Sequence, residues 1–397
     1  MTAGGAGDVP GRWHSVAIGL TTTAFMMAIS FVAWTVAGYP ERGWFVPGDL
    51  WQTVLGAQFI ADGAFPYMYE NAAGPALPFF AIVLAPFFAL GRAVGLSVGY
   101  PFSVPHPTMY LLLAPVGLMG STVVFHGAAR LLPQKNRWST AILLLTGALF
   151  SIFVFGHFED AVAVGFVMLS VADARAETQD RSALWMGLAI GFKQFAFLAV
   201  PVLLATRWRE RRIRACVTAF ALPAAAAAVP LTMDWAHASR ALISAPTFAT
   251  FGHVAWWTSS SDGTIVTTPA RLALVGVVIV LAILVRGRTD DRTVVAAVSV
   301  AFLARPLLEP VLHAYYLAPG LAFGVVHEVL IGARHRLTAA AGFVLFCYVF
   351  WKPGGHMWWV GFYVLTAAVL LRPVSSLIGP PRAELPLIDE AGSAGHG

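Results

Sequence analysis

The stretch Phe153–Phe166, FVFGHFEDAVAVGF, sets His157, Glu159 and Asp160 between two runs of residues suited to hydrocarbon. The apolar run after Asp160 holds about 13 residues, ~20 Å as a helix against a hydrocarbon core of ~30 Å. A span that short sinks its polar leading turn below the membrane surface, facing protein or water. Charge at that depth is costly and marks a functional site or a buried pair. The plainer reading is a solvated turn that ends two spans.

The rest of the chain supports hydrocarbon as the solvent. Of 397 residues 58% are hydrophobic and only 11% are charged, with a mean hydropathy of +0.73, which is the composition of an integral membrane protein. Lipid forces backbone polar groups to be satisfied within helices, so recurring apolar runs predict an all-α polytopic membrane protein with about 10–12 transmembrane helices. One membrane-embedded domain fills residues 1–373, and the Pro-, Gly- and Ser-rich segment 374–397 reads as a flexible cytoplasmic tail. The first apolar run, from Ser15 to Gly38, is too long for a signal-peptide core and reads as a retained span. Only Cys216 and Cys347 occur, both in apolar runs, which leaves no disulfide framework and no cysteine metal site. The pI near 9.4 comes from loop arginines that the membrane explains, so nucleic acid is not expected as a partner.

Spans are expected near 15–38, 107–131, 138–156, 160–173, 213–231, 269–286, 293–309, 312–331, 337–351 and 355–371, with a cytoplasmic amino terminus. Two apolar pieces are read as non-crossing. Pro75–Gly91 lies along the outer face, and Ala183–Thr206, with Lys193 at its middle, forms a re-entrant hairpin with both ends cytoplasmic. That arrangement puts 18 of the 25 basic residues on the cytoplasmic side, whereas letting both pieces cross leaves basic loops on both faces against the positive-inside rule. Two crossings in place of the hairpin stay open. The long outer loops 39–106 and 232–268 are rich in aromatics and low in net charge, a composition that favours function over disorder.

Four polar groups then share the outer face: Asp49, the His157, Glu159 and Asp160 turn, the turn ARPLLEPVLHAYY (Ala304–Tyr316), and WKPGGHMWW (Trp351–Trp359). Each has a structural alternative. Asp49 suits a helix amino-terminal cap for the amphipathic stretch after it, a role compatible with chemistry. Arg305 and Glu309 are four residues apart and can form an intrahelical pair or reach a ligand. His313, Tyr315 and Tyr316 suit an interfacial belt, as does the Trp256, Trp257 pair. Lys193 fits a structural role beside a carboxylate or a donor phosphate. Lys352 and His356 read as plain loop residues, with contact to a ligand as the alternative. No phosphate-cradling Gly-rich loop of the Walker type and no HExxH motif is present, and Asp290 and Asp291 sit on the cytoplasmic side as a solvated turn.

The outer loop opening PGDLWQTVLGAQFIADGAFPYMYENAAGPALPFFAIVLAPFFAL resembles the first module of the membrane-embedded GT-C glycosyltransferases. The run GHFEDAVAVGFVMLSVADARAETQDRSALWMGLAIGFKQFAFLAVPVLLATRWRERR and the turn FLARPLLEPVLHAYYLAPGLAF resemble their actinobacterial branch, the polyprenol-phosphate-mannose-dependent mannosyltransferases of glycosyltransferase family 87. The resemblance covers about two thirds of the chain. It implies a GT-C-like bundle with amphipathic juxtamembrane helices in its long first outer loop. It further implies an inverting transferase that moves mannose from a polyprenyl-phosphate donor to a lipid or glycan acceptor at the outer face of the plasma membrane, for cell-envelope synthesis.

Asp49 matches the position of the family's outer-loop general base. His157, Arg305, His313 and Lys352 are candidates for the departing phosphate, and Glu159 and Asp160 for holding sugar hydroxyls, orienting His157 or serving as an alternative base. Metal-dependent relatives carry a DxD-type motif where this chain has HFED, so no metal or other cofactor is expected. The competing readings are a transporter or flippase of a polyprenyl-linked glycan and a non-catalytic assembly subunit. The sequence leaves open the sugar, for which arabinose or another pentose would use the same architecture, as well as the acceptor, the need for a metal and the oligomeric state.

Overall fold

The fold is known from a computed structural model, which describes residues 16–25, 28, 32, 56–64, 79–95, 107–133, 136–137, 140, 143–144, 148–149, 152, 157–174, 178–236, 238–239, 244–246, 252–254, 260–261, 264–266, 268–309, 311–333, 338–339, 341–342, 344 and 356–378. The main helices among them are α1 (Val16–Phe25), α2 (Phe79–Ala93), α3 (Pro107–Leu131), α4 (Phe158–Asp173), α5 (Gln179–Phe192), α6 (Val200–Thr206), α7 (Arg212–Met233), α8 (Thr268–Leu284), α9 (Asp291–Leu308), α10 (Ala318–Leu330) and α11 (His356–Ile378). The protein is a helical membrane protein. Two of its described helices, Arg212–Met233 and Trp359–Ile378, are long and apolar enough to cross a bilayer, and shorter apolar helices accompany them. Exposed Ile213, Val217 and Phe220 on α7, Leu272, Ile279, Val280 and Ile283 on α8, and Val360, Val364 and Leu371 on α11 form outward apolar faces that lipid covers.

Two helices make the centre. Every residue of α4 is buried, as is every residue of α9 from Thr293 to Pro306, as expected of helices apolar on all sides. α4 packs against α3 along a seam of glycines. A Cβ at Gly165 would lie 2.6 Å from Val124 N, one at Gly127 2.6 Å from Met168 Cβ, and one at Gly120 3.2 Å from Ala161 Cβ. Without lipid-expelling force between helices, such close approach supplies the attraction.

The segment read from the sequence as a hairpin is one. α5 ends at Lys193, whose extended backbone (φ −150°, ψ 122°) breaks the helix, and a 3₁₀ turn, Gln194–Ala199, leads back into α6. The two ends meet: Gln179 Nε2 donates to Arg207 O at 2.9 Å and Trp208 Nε1 to Ser182 Oγ at 2.9 Å. The outgoing limb of 14 residues spans ~21 Å and the return about the same, both short of the ~30 Å of hydrocarbon. α2 rests on its tip through Phe79 and Phe192, whose rings are 5.2 Å apart.

At the base of the hairpin an ionic seam closes one end of the bundle. Asp173 takes Arg130 Nη2 at 2.5 Å, Arg181 Nε at 2.6 Å and Trp185 Nε1 at 3.0 Å. Arg207 reaches Val171 O (2.9 Å), Thr289 O (2.8 Å) and the Asp291 carboxylate. Asp290 caps α9 by accepting from Thr293 N at 2.8 Å, so the acidic pair of that loop has structural work. Glu328 pairs with Arg372 (2.8 Å) and Thr338 at the carboxyl ends of α10 and α11.

Boundaries shift in two places. α10 begins at Ala318, six residues after the expected start at 312, because Val311–His313 is a strand and Ala314–Leu317 a 3₁₀ turn. α11 runs on to Ile378, five residues past the boundary read at 373, with Pro373 inside it. The loop 232–268 supplies four short strands among its described residues. β1 (Ser244–Pro246), β4 (Thr264–Val266) and β3 (Ser260–Ser261) form a small antiparallel sheet. β2 (Gly252–Val254) pairs with β5 (Val311–His313), Gly252 opposite His313.

Candidate functional site

The end of the bundle away from the seam gathers the polar groups. His157 precedes α4, its carbonyl accepts from Asp160 N at 2.9 Å, and Glu159 and Asp160 fall in the first helical turn, where the helix dipole favours negative charge. All three are buried, with Asp160 at 0% exposure and Glu159 at 4%. The compensating charge comes from 34 residues on, across the hairpin tip. Lys193 Nζ donates to Glu159 Oε1 at 2.7 Å, lies 2.9 Å from Asp160 Oδ1 and 3.4 Å from His157 Nδ1. His157 Nδ1 itself sits 2.9 Å from Glu159 Oε1.

One ammonium thus serves two carboxylates. Glu159 Oε2 and Asp160 Oδ2 remain buried with no hydrogen-bond partner, and Oδ1 has Lys193 nearby without hydrogen-bond geometry. An unmet buried acceptor costs ~1–3 kcal/mol, more when charged. Three acceptors in one place therefore invite a donor-rich ligand such as a polyol.

A second group faces the first. His157 stacks on Tyr315 with ring centroids 4.2 Å apart, and His313 stacks on Tyr315 at 5.2 Å. Tyr316 carries the Arg305 guanidinium on its face, with Cζ 3.8 Å from the centroid, while Phe195 of the hairpin tip lies 5.4 Å from it on another side. Arg305 Nε reaches Glu309 Oε1 at 3.4 Å, a long contact, and Nη1 is buried without a partner. The His157–Tyr315 stack and the contact of Arg305 with Phe195 of the hairpin tip join the two groups into one site.

His157, Glu159, Asp160, Arg305 and His313 are brought together, and the Arg305–Glu309 intrahelical pair leaves Arg305 Nη1 without a partner. Asp49 and Lys352 lie outside the described residues. Four further residues contribute. Lys193 is the central cation of the cluster, Tyr315 and Tyr316 are inner-wall residues rather than belt residues, and Phe195 helps to hold Arg305. The signal for Lys193 was there, a lone cation in an apolar hairpin; nothing in the sequence singled out Phe195.

Among the described residues, His157, Glu159 and Asp160 form the group able to hold a metal, with their ligand atoms within 4.8 Å of one another. The Lys193 ammonium already lies against two of those carboxylates, so a divalent ion has to meet a fixed positive charge there.

A family model described as ALG3 protein matches residues 106–248. The match takes in α3 to α7, hence His157, Glu159, Asp160 and Lys193, and stops before Arg305 and His313. No curated protein matches the chain, and no solved structure does. The match covers a little over a third of the chain and does not single out the actinobacterial branch.

Proposed function

We propose that the protein is an inverting glycosyltransferase that moves mannose from a polyprenyl-phosphate donor to a lipid or glycan acceptor at the outer face of the plasma membrane. The observation that carries this reading is the pairing, in one buried site, of under-satisfied carboxylates with an arginine fork that has a free edge. Sugar hydroxyls suit the first and a lipid phosphate suits the second.

In this account the Asp49 carboxylate takes the proton of the acceptor hydroxyl. The acceptor oxygen bonds to the anomeric carbon from the face opposite the phosphate, and the bond from that carbon to the phosphate oxygen breaks. Both electrons leave with the polyprenyl phosphate, so the sugar carbon inverts. Negative charge grows on the departing phosphate, where the Arg305 fork, assisted by His157, His313 and Lys352, stabilises it. Glu159 and Asp160 hold the sugar hydroxyls, and Lys193 fixes both carboxylates in place. With Lys193 in the cluster the reaction needs no metal. Membrane lipids and the two substrates are the partners.

A transporter of the same lipid requires a path between the faces. The Asp173 and Arg207 networks tie the opposite end together, which favours the enzyme. The test is mannose transfer from polyprenyl-phosphate-mannose to membrane acceptors by the purified, reconstituted chain. Transfer reduced at least about a hundredfold by Asp160→Asn, in protein that still folds, supports the reading. Lipid movement across vesicles without any transfer replaces it with the transporter.

A further inference from the structure

At the seam end, α6, α7 and α8 enclose an open groove of about 580 Å³, within the size range of ligand sites. Its walls are Leu204, Val217, Ile279 and Ile283, and two arginines, Arg212 and Arg286, stand at its rim. The groove is built by the fold: Gly287 N donates to Ala205 O at 3.1 Å, which ties the end of α8 to the end of α6. Gly287 has a left-handed backbone (φ 84°), and Arg209 Nη1 would stand 3.4 Å from a Cβ there.

Among the described residues, Arg211, Arg214 and Arg288 have partners and the rim cations do not. Arg211 and Arg214 reach Asp180 at 3.3 and 2.8 Å, and Arg288 donates to Leu377 O at 2.8 Å. Arg212 and Arg286 have no acidic partner among the described residues, and the acid in the segment 207–214 is Glu210 alone.

An apolar groove open along its length toward lipid, with unpaired guanidinium groups at its mouth, has the chemistry of an amphiphile with an anionic head. We propose that it binds an anionic diacyl glycerophospholipid of the bilayer, chains between α7 and α8 and phosphate on Arg212 and Arg286. The site is distinct from the sugar-transfer site: its arginines stand at the seam end, whereas His157, Glu159 and Asp160 stand at the opposite end of α4. It does not rest on the transferase reading. Basic pockets between membrane helices near one bilayer surface are suited to such head groups.

The experiment is native mass spectrometry of the full chain released from micelles that contain equal phosphatidylglycerol and phosphatidylcholine. The expected result is retention of phosphatidylglycerol over phosphatidylcholine. Arg212→Gln with Arg286→Gln should lower that preference about thirtyfold, from the attraction contributed by each basic residue at a membrane surface. Because the readout is a ratio within one sample, yield does not affect it. The control Arg211→Gln with Arg214→Gln removes the same charge outside the groove and should leave the preference in place. Val217→Trp fills the groove and should lower retention of phosphatidylglycerol while the protein mass is unchanged. Equal retention of the two lipids by the natural chain overturns the proposal. So does an equal loss in the control pair, which means diffuse charge, or a dimer that Val217→Trp dissociates, which means that a second copy fills the groove.

Discussion

Lys193→Met removes the cation that Glu159 and Asp160 share while keeping most of the side-chain volume. The lysine side chain is 24% exposed and the two carboxylates 5% and 0%, with contacts of 2.7 and 2.9 Å. Stripping one partner from a buried ion pair leaves uncompensated charge and costs ~3–5 kcal/mol. The partial exposure of Lys193 argues for the lower end, whereas the second carboxylate argues for the upper. The expected loss is therefore about 4 kcal/mol, measured by denaturant unfolding in mixed micelles. The decisive comparison is the triple change Lys193→Met, Glu159→Gln, Asp160→Asn, which removes all three charges. It should recover most of the loss, because replacing a whole buried ionic group is often close to neutral. A Lys193→Met loss below about 1 kcal/mol, the range of an exposed pair, or a triple variant as unstable as the single, would refute a buried shared cation.

Gly165→Val forces a Cβ to 2.6 Å from the Val124 backbone nitrogen; a loss of about 3 kcal/mol and a poor yield of monodisperse protein are expected, read by size exclusion and unfolding. Asp173→Asn unpins Arg130, Arg181 and Trp185 and should cost ~3 kcal/mol, yet leave transfer per folded molecule unchanged, since the site is at the other end of α4. Arg305→Lys keeps the charge over Tyr316 but loses the guanidinium fork. It should raise the donor KM by about tenfold with stability nearly intact, measured by initial rates against donor concentration.

Much of this was legible in the sequence because hydrocarbon is an unforgiving solvent. The buried carboxylates after His157 stood out against an apolar background, and the arginine distribution found the hairpin that Gln179 and Arg207 close. What was not legible is pairing across the chain. Lys193 was visible as an anomaly, but its partners lie more than thirty residues earlier, and periodicity says nothing about which carboxylates a hairpin tip will meet. Tyr315 and Tyr316 fit an interfacial belt by type, and only their place under His157 and Arg305 shows them to be site residues. The pairing of Gly252–Val254 with Val311–His313 joins the loop 232–268 to the candidate site. Three-residue strands carry too few alternations to announce themselves, and the residues from 311 to 317 read as the start of a span.

The central claim is tested most directly by sugar transfer from radiolabelled polyprenyl-phosphate-mannose, with purified natural chain beside Asp49→Asn, each with and without chelator. The account predicts transfer by the natural chain that survives chelation, together with donor binding but no transfer by Asp49→Asn. Folded protein that transfers no sugar from any polyprenyl phosphate, or transfer that Asp49→Asn leaves intact, would contradict it.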